Sequence, residues 1–108
     1  MKYIDTPFSI PRNHPTAPDV FKGRMSAHLM ADTQEELVEY AVRIGLKASW
    51  IQYPQDPAHV HFDLTGRYLQ RVLKDAVDGI EVRQVTPREM ARMILRRKYR
   101  DSEGSEVT

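Results

Sequence analysis

The stretch Ala27–Leu46, AHLMADTQEELVEYAVRIGL, holds a short apolar segment followed by the best-marked helix of the chain. Thr33 is followed three residues later by a glutamate, the spacing of a capping box that begins a helix. Apolar residues then recur at helical spacing, and Gly45 is suited to the turn that ends a helix. The pattern predicts a helix over about 34–44, preceded by a buried strand over 28–31.

The composition indicates a soluble globular protein. The chain has 108 residues, of which 41% are hydrophobic and 29% are charged, and this is enough for one domain with a modest core. No apolar run approaches the roughly 18 residues that span a bilayer, and the N-terminus lacks a signal-peptide pattern, so no membrane partner is expected. Because the chain has no cysteine, disulfides and thiolate metal sites are excluded, and a cytoplasmic location is expected.

Strands and helices alternate along the rest of the chain. The alternation predicts an α/β fold, a single domain over residues 1–100 with a mixed or mostly parallel sheet of four or five short strands and three helices. The acidic segment 101–108 is expected to be a disordered tail. The remaining predicted strands are Lys2–Ile4, Lys47–Tyr53 with Trp50 in the core, His59–Leu64 and Ile80–Val85, and helices are predicted from Thr65 to Gly79 and from Thr86 to about Tyr99.

Residues 6–23 contain four prolines and are predicted to form a long loop, because proline removes hydrogen-bond donors and restricts the residue before it. Long loops in small domains often serve a site. The basic residues Arg12, His14, Lys22 and Arg24 would suit a cover over such a site. The alternative is a plain surface excursion.

The pattern His59-x-His61-x-Asp63 places three side chains on one face of an extended strand, because successive residues point to opposite faces. Imidazole and carboxylate groups are ligands for zinc, iron and manganese. The cofactor is left open, with a divalent metal as one candidate and His28 or Asp32 as its fourth ligand. The alternative is a hydrated strand face with ordinary histidines.

A catalytic site is predicted where two strands run into helices. His28 and Asp32 precede the first helix as His61 and Asp63 precede the second, so these four groups would converge if the strands were parallel neighbours. Histidine beside a carboxylate suits proton transfer, and helix N-termini and arginines bind phosphate. The expected function is binding of a phosphorylated or nucleotide-like small ligand, and whether metal-assisted hydrolysis follows is left open. The residues expected to hold the ligand are Arg24, Thr33, Thr65 and Arg67. Simple capping and structural hydrogen bonding is the alternative for each residue.

Residues 86–100 carry six basic side chains and one acidic one. Arg88, Arg92, Arg96 and Arg100 recur every four residues and so share one helix face. Such a face could bind a nucleic-acid backbone or a protein, which makes a non-enzymatic accessory protein the second predicted function. A solvated helix face is the structural alternative.

With these residues, the chain resembles a bacterial and phage family designated domain of unknown function 4031. The resemblance runs from about Met1 to Val85 and leaves out the basic third helix. Phe62 stands where the family usually has tyrosine, and the family implies no established activity. The resemblance rests on Tyr3-Ile4-Asp5, His28 to Thr33 with Glu36-Leu37, Ile44-Gly45-Leu46, Trp50, Gln52 and His61 to Thr65, and it implies that His28, Asp32, Trp50, His61 and Asp63 belong to one recurring pattern.

Overall fold

A computed structural model describes residues 1–13, 15–16 and 23–107, with only the backbone for 101–107. His14, Pro18 and Lys22 of the predicted loop, as well as Thr108, lie outside the described residues. The elements are, in chain order, β1 (Lys2–Ile4), β2 (Phe8–Ser9), β3 (Met25–Ala31), α1 (Gln34–Arg43), a 3₁₀ turn (Ala48–Trp50), β4 (Phe62–Leu64), α2 (Gly66–Val77), β5 (Val82–Gln84) and α3 (Pro87–Val107).

The sheet is mixed and is organised around β3, the longest of its strands. β1 and β2 both pair antiparallel with β3, and β4 pairs antiparallel with it as well. β5 runs parallel to β1. The prediction of an α/β domain with three helices and a mixed sheet of four or five short strands is confirmed.

The helices begin where the capping residues predicted. The hydroxyl of Thr33 accepts the backbone N–H of Glu36 at 3.1 Å. Thr86 and Glu89 form a reciprocal capping box at the start of α3, with bonds of 3.1 and 3.4 Å. The backbone of α3 continues beyond the predicted end at Tyr99, through most of the acidic segment. Disorder of that segment in solution stays a prediction.

The predicted strand Lys47–Tyr53 and the buried position of Trp50 are wrong. A 3₁₀ turn forms instead, in which the N–H of Trp50 binds the carbonyl of Lys47 at 3.0 Å. Tyr53 has φ of 54°, a left-handed conformation that interrupts an extended chain. Trp50 is 44% exposed, and its ring packs edge-on against Tyr68. Trp50 therefore lies in a turn at the surface and not in a core strand.

The sheet separates two apolar clusters of unequal size. The larger one, which includes Leu29, Tyr40 and Phe62, lies between the sheet and α1 and α2. The smaller one joins Met30 to Val85 and Met90, under α3. Because side chains alternate along a strand, His28 shares its face with Met30 and points toward α3. His28 therefore lies on the side of the sheet that has the smaller apolar cluster, under α3.

Candidate functional site

The antiparallel pairing of β3 with β4 places His28 directly opposite Asp63. His61, two residues before Asp63, forms a separate antiparallel bridge with Gln52. The Nε2 atoms of His28 and His61 lie 3.9 and 3.3 Å from Oδ1 of Asp63. One potential ligand atom from each of the three residues falls within 4.8 Å of the others. We call this group the His–Asp cluster.

Both imidazole rings of the cluster are fixed through their other nitrogen. Nδ1 of His28 binds Oδ2 of Asp5 at 2.7 Å, and Nδ1 of His61 donates to the carbonyl of His59 at 2.7 Å. Asp5 also accepts the backbone N–H of His28 through Oδ1 at 2.7 Å. A hydrogen bond at Nδ1 to a carboxylate or carbonyl is the usual support of a metal-ligating histidine, because it leaves Nε2 for the metal.

The charges of the site follow from these contacts. The hydrogen bond to Asp5 raises the pKa of His28, opposed by burial. The hydrogen bond with His61 lowers the pKa of Asp63, so its carboxylate is negative at neutral pH. Burial lowers the pKa of His59, and the nearby charge of His61 acts in the same direction. The cluster thus combines an ionised carboxylate with imidazoles held in a defined orientation.

A cavity of about 200 Å³ adjoins the cluster beneath α3. Two aromatic side chains border this region: Phe8 stacks on His28 with ring centroids 5.4 Å apart, and Tyr53 stacks on His59 at 4.6 Å. Tyr53 is 57% exposed, so it remains accessible to solvent beside His59. The lining of the cavity is Asp5, His28, Met30, His59, His61, Pro87, Met90, Ala91 and Ile94.

The donor set suits a divalent transition metal. Two imidazole nitrogens and one carboxylate oxygen match the ligands of catalytic zinc and of non-haem iron, and such sites keep positions open for water or substrate. His61 is almost fully buried, whereas Asp63 is 46% exposed on the solvent side. The arrangement can therefore hold a cation on the protein side while leaving it accessible to a small ligand.

The predicted geometry of two parallel strand-to-helix junctions side by side is wrong. β3 and β4 are neighbours but run antiparallel, so their C-terminal ends lie at opposite ends of the pair. Thr33 and Thr65, which follow these strands, are separated for that reason. The convergence of His28, His61 and Asp63 arises from pairing in the middle of the strands.

Asp32 does not join the His–Asp cluster. Its carboxylate accepts from the hydroxyl of Tyr3 at 3.0 Å and from the N-terminal ammonium at 3.3 Å. Arg97 of α3 lies 3.9 Å from the same carboxylate. Asp32 thus belongs to a separate group of contacts at the far end of β3.

The remaining residues that the sequence analysis assigned to metal or ligand binding lie outside the His–Asp cluster. His59 lies in a turn before β4, where its carbonyl supports His61 and its ring stacks on Tyr53. Thr33 is occupied as the helix cap of α1, and Thr65 begins α2 without a side-chain cap bond. Arg67 donates to the hydroxyl of Tyr68, and the exposed Arg24 contributes its carbonyl to a bond with Ile10. Neither arginine is among the residues that line the cavity.

Asp5 is the functional residue that sequence reasoning missed. Its signals in the sequence are its place directly after an apolar strand and its position in the Tyr3-Ile4-Asp5 motif of the resemblance. The register of β1 on β3, in which Ile4 pairs with Leu29, brings Asp5 beside His28. This register depends on residues more than twenty positions apart, so it could not be read from the local pattern.

A second concavity, of about 760 Å³, lies on the other side of α3. Arg92, Arg96 and Arg100 of the predicted basic stripe line it, whereas Arg88 does not. We call this concavity the arginine groove. Its remaining lining residues are Tyr3, Asp32, Arg83, Val85, Glu89, Met93 and Arg97.

Within the described ranges, no helix is both long enough and apolar enough to cross a membrane. Neither the curated proteins nor the solved structures contain a match to the chain. A family model described as "Protein of unknown function (DUF4031)" matches residues 13–95. The match begins after Asp5 and includes the first part of α3, whereas the resemblance seen in the sequence ran from Met1 to Val85. Since the match covers most of its length, the chain belongs to the DUF4031 family.

Proposed function

We propose that the His–Asp cluster is a divalent-metal centre that binds a phosphorylated or nucleotide-like ligand and hydrolyses it. One observation carries the proposal. The Nε2 atoms of His28 and His61 both lie close to the carboxylate of Asp63, while both Nδ1 atoms are already bound to acceptors.

This geometry favours a cation at the centre of the cluster. A neutral imidazole that donates from Nδ1 presents a lone pair at Nε2. Two such lone pairs and a carboxylate would then face one another, and three acceptors in contact repel unless a positive charge lies between them. Without a metal, Nε2 of His61 carries a proton when it donates to Asp63 at 3.3 Å. A divalent metal would replace such protons and bind all three groups at once.

The proposed reaction needs no redox partner. A metal bound by these side chains would lower the pKa of a coordinated water to about 7 and so supply a hydroxide nucleophile. Hydrolysis would form a P–O bond to the water oxygen and break the P–O bond to the ester oxygen, and the leaving oxygen would take up the proton that the water loses. The chain itself contributes orientation: Asp5 and the carbonyl of His59 hold the two rings, and the exposed ring of Tyr53 offers a stacking face for a base.

The first prediction concerns metal binding. We expect Zn²⁺ or Co²⁺ to bind with one ion per chain in isothermal titration calorimetry, and Co²⁺ to give the visible absorption of a site with nitrogen and oxygen ligands. Loss of a residue that only supports a metal ligand weakens metal binding about 10- to 100-fold. His61→Ala removes a ligand itself, so it should weaken metal binding by more than that. The matched control is His59→Ala, which removes a neighbouring histidine whose ring lies outside the cluster.

Equal losses in the two variants, or no metal binding by the unaltered protein, would contradict the metal centre. Hydrolysis is assayed separately with bis-p-nitrophenyl phosphate and with nucleoside phosphates in the presence of each metal. If metal binds as expected but no phosphoester is cleaved, the centre stands and the proposed reaction is wrong.

A further inference from the structure

We infer that the arginine groove binds the sugar–phosphate backbone of a single nucleic-acid strand. This surface is separate from the His–Asp cluster, because the two concavities share no lining residue and lie on different sides of α3. The inference therefore does not depend on the metal centre.

The groove concentrates positive charge that none of the described side chains neutralises. Within the portion whose side chains are described, Arg83, Arg92, Arg96 and Arg100 are exposed and form no ion pair. Arg97 differs from these four, because it donates to the carbonyl of Ala31 at 2.8 Å and so anchors α3 to β3.

The two acidic residues of the groove are already engaged. The carboxylate of Asp32 accepts hydrogen bonds from the hydroxyl of Tyr3 and from the N-terminal ammonium. Glu89 reaches back to the N–H of Thr86 as part of the helix cap. Four guanidinium groups thus remain for a ligand, and each can bind a phosphate with two parallel hydrogen bonds.

The spacing of the arginines fits a chain of phosphates better than a single anion. With a rise of 1.5 Å per residue, Arg92 and Arg100 are separated by about 12 Å along the helix. One phosphate cannot span that distance, whereas consecutive phosphates of a strand can. Arg83 adds a cation from β5 on the opposite wall of the groove.

The shape of the groove favours a single strand over a duplex. The arginines line a concavity between α3 and the sheet, so a ligand must enter between these elements. A duplex recognised by a helix would instead need that helix to project into its major groove. Leu95 and Tyr99, exposed by 65% and 68%, adjoin Arg96 and Arg100 and provide an apolar surface on which a base can stack.

The second prediction tests this surface by fluorescence anisotropy with labelled thymidine oligonucleotides of about 12 nucleotides at about 50 mM salt. Arg92→Ala with Arg96→Ala should weaken binding about tenfold and reduce the slope of log K against log salt by about 1.4, since each contact to a single strand contributes about 0.7. The matched control is Arg88→Ala with Lys98→Ala, which removes the same charge from the same helix outside the groove.

Several outcomes would overturn the inference. These are no binding by the unaltered protein, equal weakening in both double variants, tighter binding of a duplex than of the single strand, and equal competition by inorganic phosphate or polyglutamate. His61→Ala should bind the oligonucleotide as the unaltered protein does, which separates this result from the metal centre. Circular dichroism checks that the variants fold.

Discussion

Asp5 is a buried carboxylate whose two oxygens contact the same residue, one through its backbone and one through its ring. Oδ1 accepts the N–H of His28 and Oδ2 binds its Nδ1, both at 2.7 Å. These two contacts fix the ring relative to β3, and so they fix where its Nε2 points. Asp5 is thus a positioning residue for the His–Asp cluster.

The third prediction follows from that role. Asp5→Asn keeps the shape of the side chain but removes its charge, so we expect the affinity for Zn²⁺ to fall about 10- to 100-fold. The ¹⁵N chemical shifts of the His28 ring should also change, because its Nδ1 loses an ionised acceptor. An unchanged affinity and unchanged shifts in a folded variant would show that Asp5 has no part in orienting His28.

At the scale of elements, α3 carries more of the candidate function than its small apolar contact suggests. Pro87, Met90, Ala91 and Ile94 border the cavity beside the histidines, and other residues of the helix form one wall of the arginine groove. The cluster that joins it to the sheet is small, with Met30, Val85 and Met90 as its buried members. The capping hydrogen bonds at the N-terminal end of α3 therefore matter for the stability of this helix.

The fourth prediction compares two threonines that begin helices. Thr86→Ala removes the hydroxyl that caps α3 and should lower the free energy of unfolding by about 1 kcal/mol. Thr65→Ala should cost clearly less, because the side chain of Thr65 makes no cap hydrogen bond at the start of α2. Urea unfolding measures both values, and equal losses would mean that the α3 cap contributes nothing specific.

At the scale of the whole molecule, Glu81 connects three parts of the fold just before β5. Its carboxylate binds Lys2 of β1 and Arg43 of α1, each at 2.6 Å. The backbone of Glu81 has φ of 61°, which is uncommon for a residue other than glycine. The hydrogen bonds from Arg43, and then the one from Lys2, lower the pKa of Glu81 from 4.5 to about 2.

The fifth prediction concerns the pH dependence of stability. Because the pKa of Glu81 is lower in the folded chain, its stabilising effect is present above about pH 4.5 and is lost as the pH falls toward 2. Glu81→Gln should therefore destabilise the protein at neutral pH and make little difference near pH 2. Thermal unfolding across that range tests this, and a difference that persists at pH 2 would point to the backbone conformation instead of the ion pairs.

The sequence predicted the helices well because their signals are local. Thr33 and Thr86 are capping residues that act within one helical turn, and the structure begins α1 and α3 after them. Trp50 was misplaced because its apolar character does not distinguish a core strand from a turn that packs on Tyr68.

The sequence points to the three residues of the His–Asp cluster, among others that lie outside it, but not to the geometry that brings them together. His28, His61 and Asp63 were named from their chemistry, but the direction of β4 relative to β3 is set by the whole sheet. The roles of Asp5 and Arg83 could not be predicted for the same reason, because both depend on the pairing of strands that are distant in the sequence. Strand pairing over long separations supplied what the local patterns lacked.

The register between β3 and β4 has a further consequence for folding. His28 faces Asp63 only when Ala27 pairs with Leu64, and a slip of one residue would turn one strand's side chains to the other face of the sheet. A cation held by the cluster would bind the native pairing in preference to one slipped by a single residue. By mass action, it would shift the population of alternative pairings toward the native sheet in proportion to its concentration.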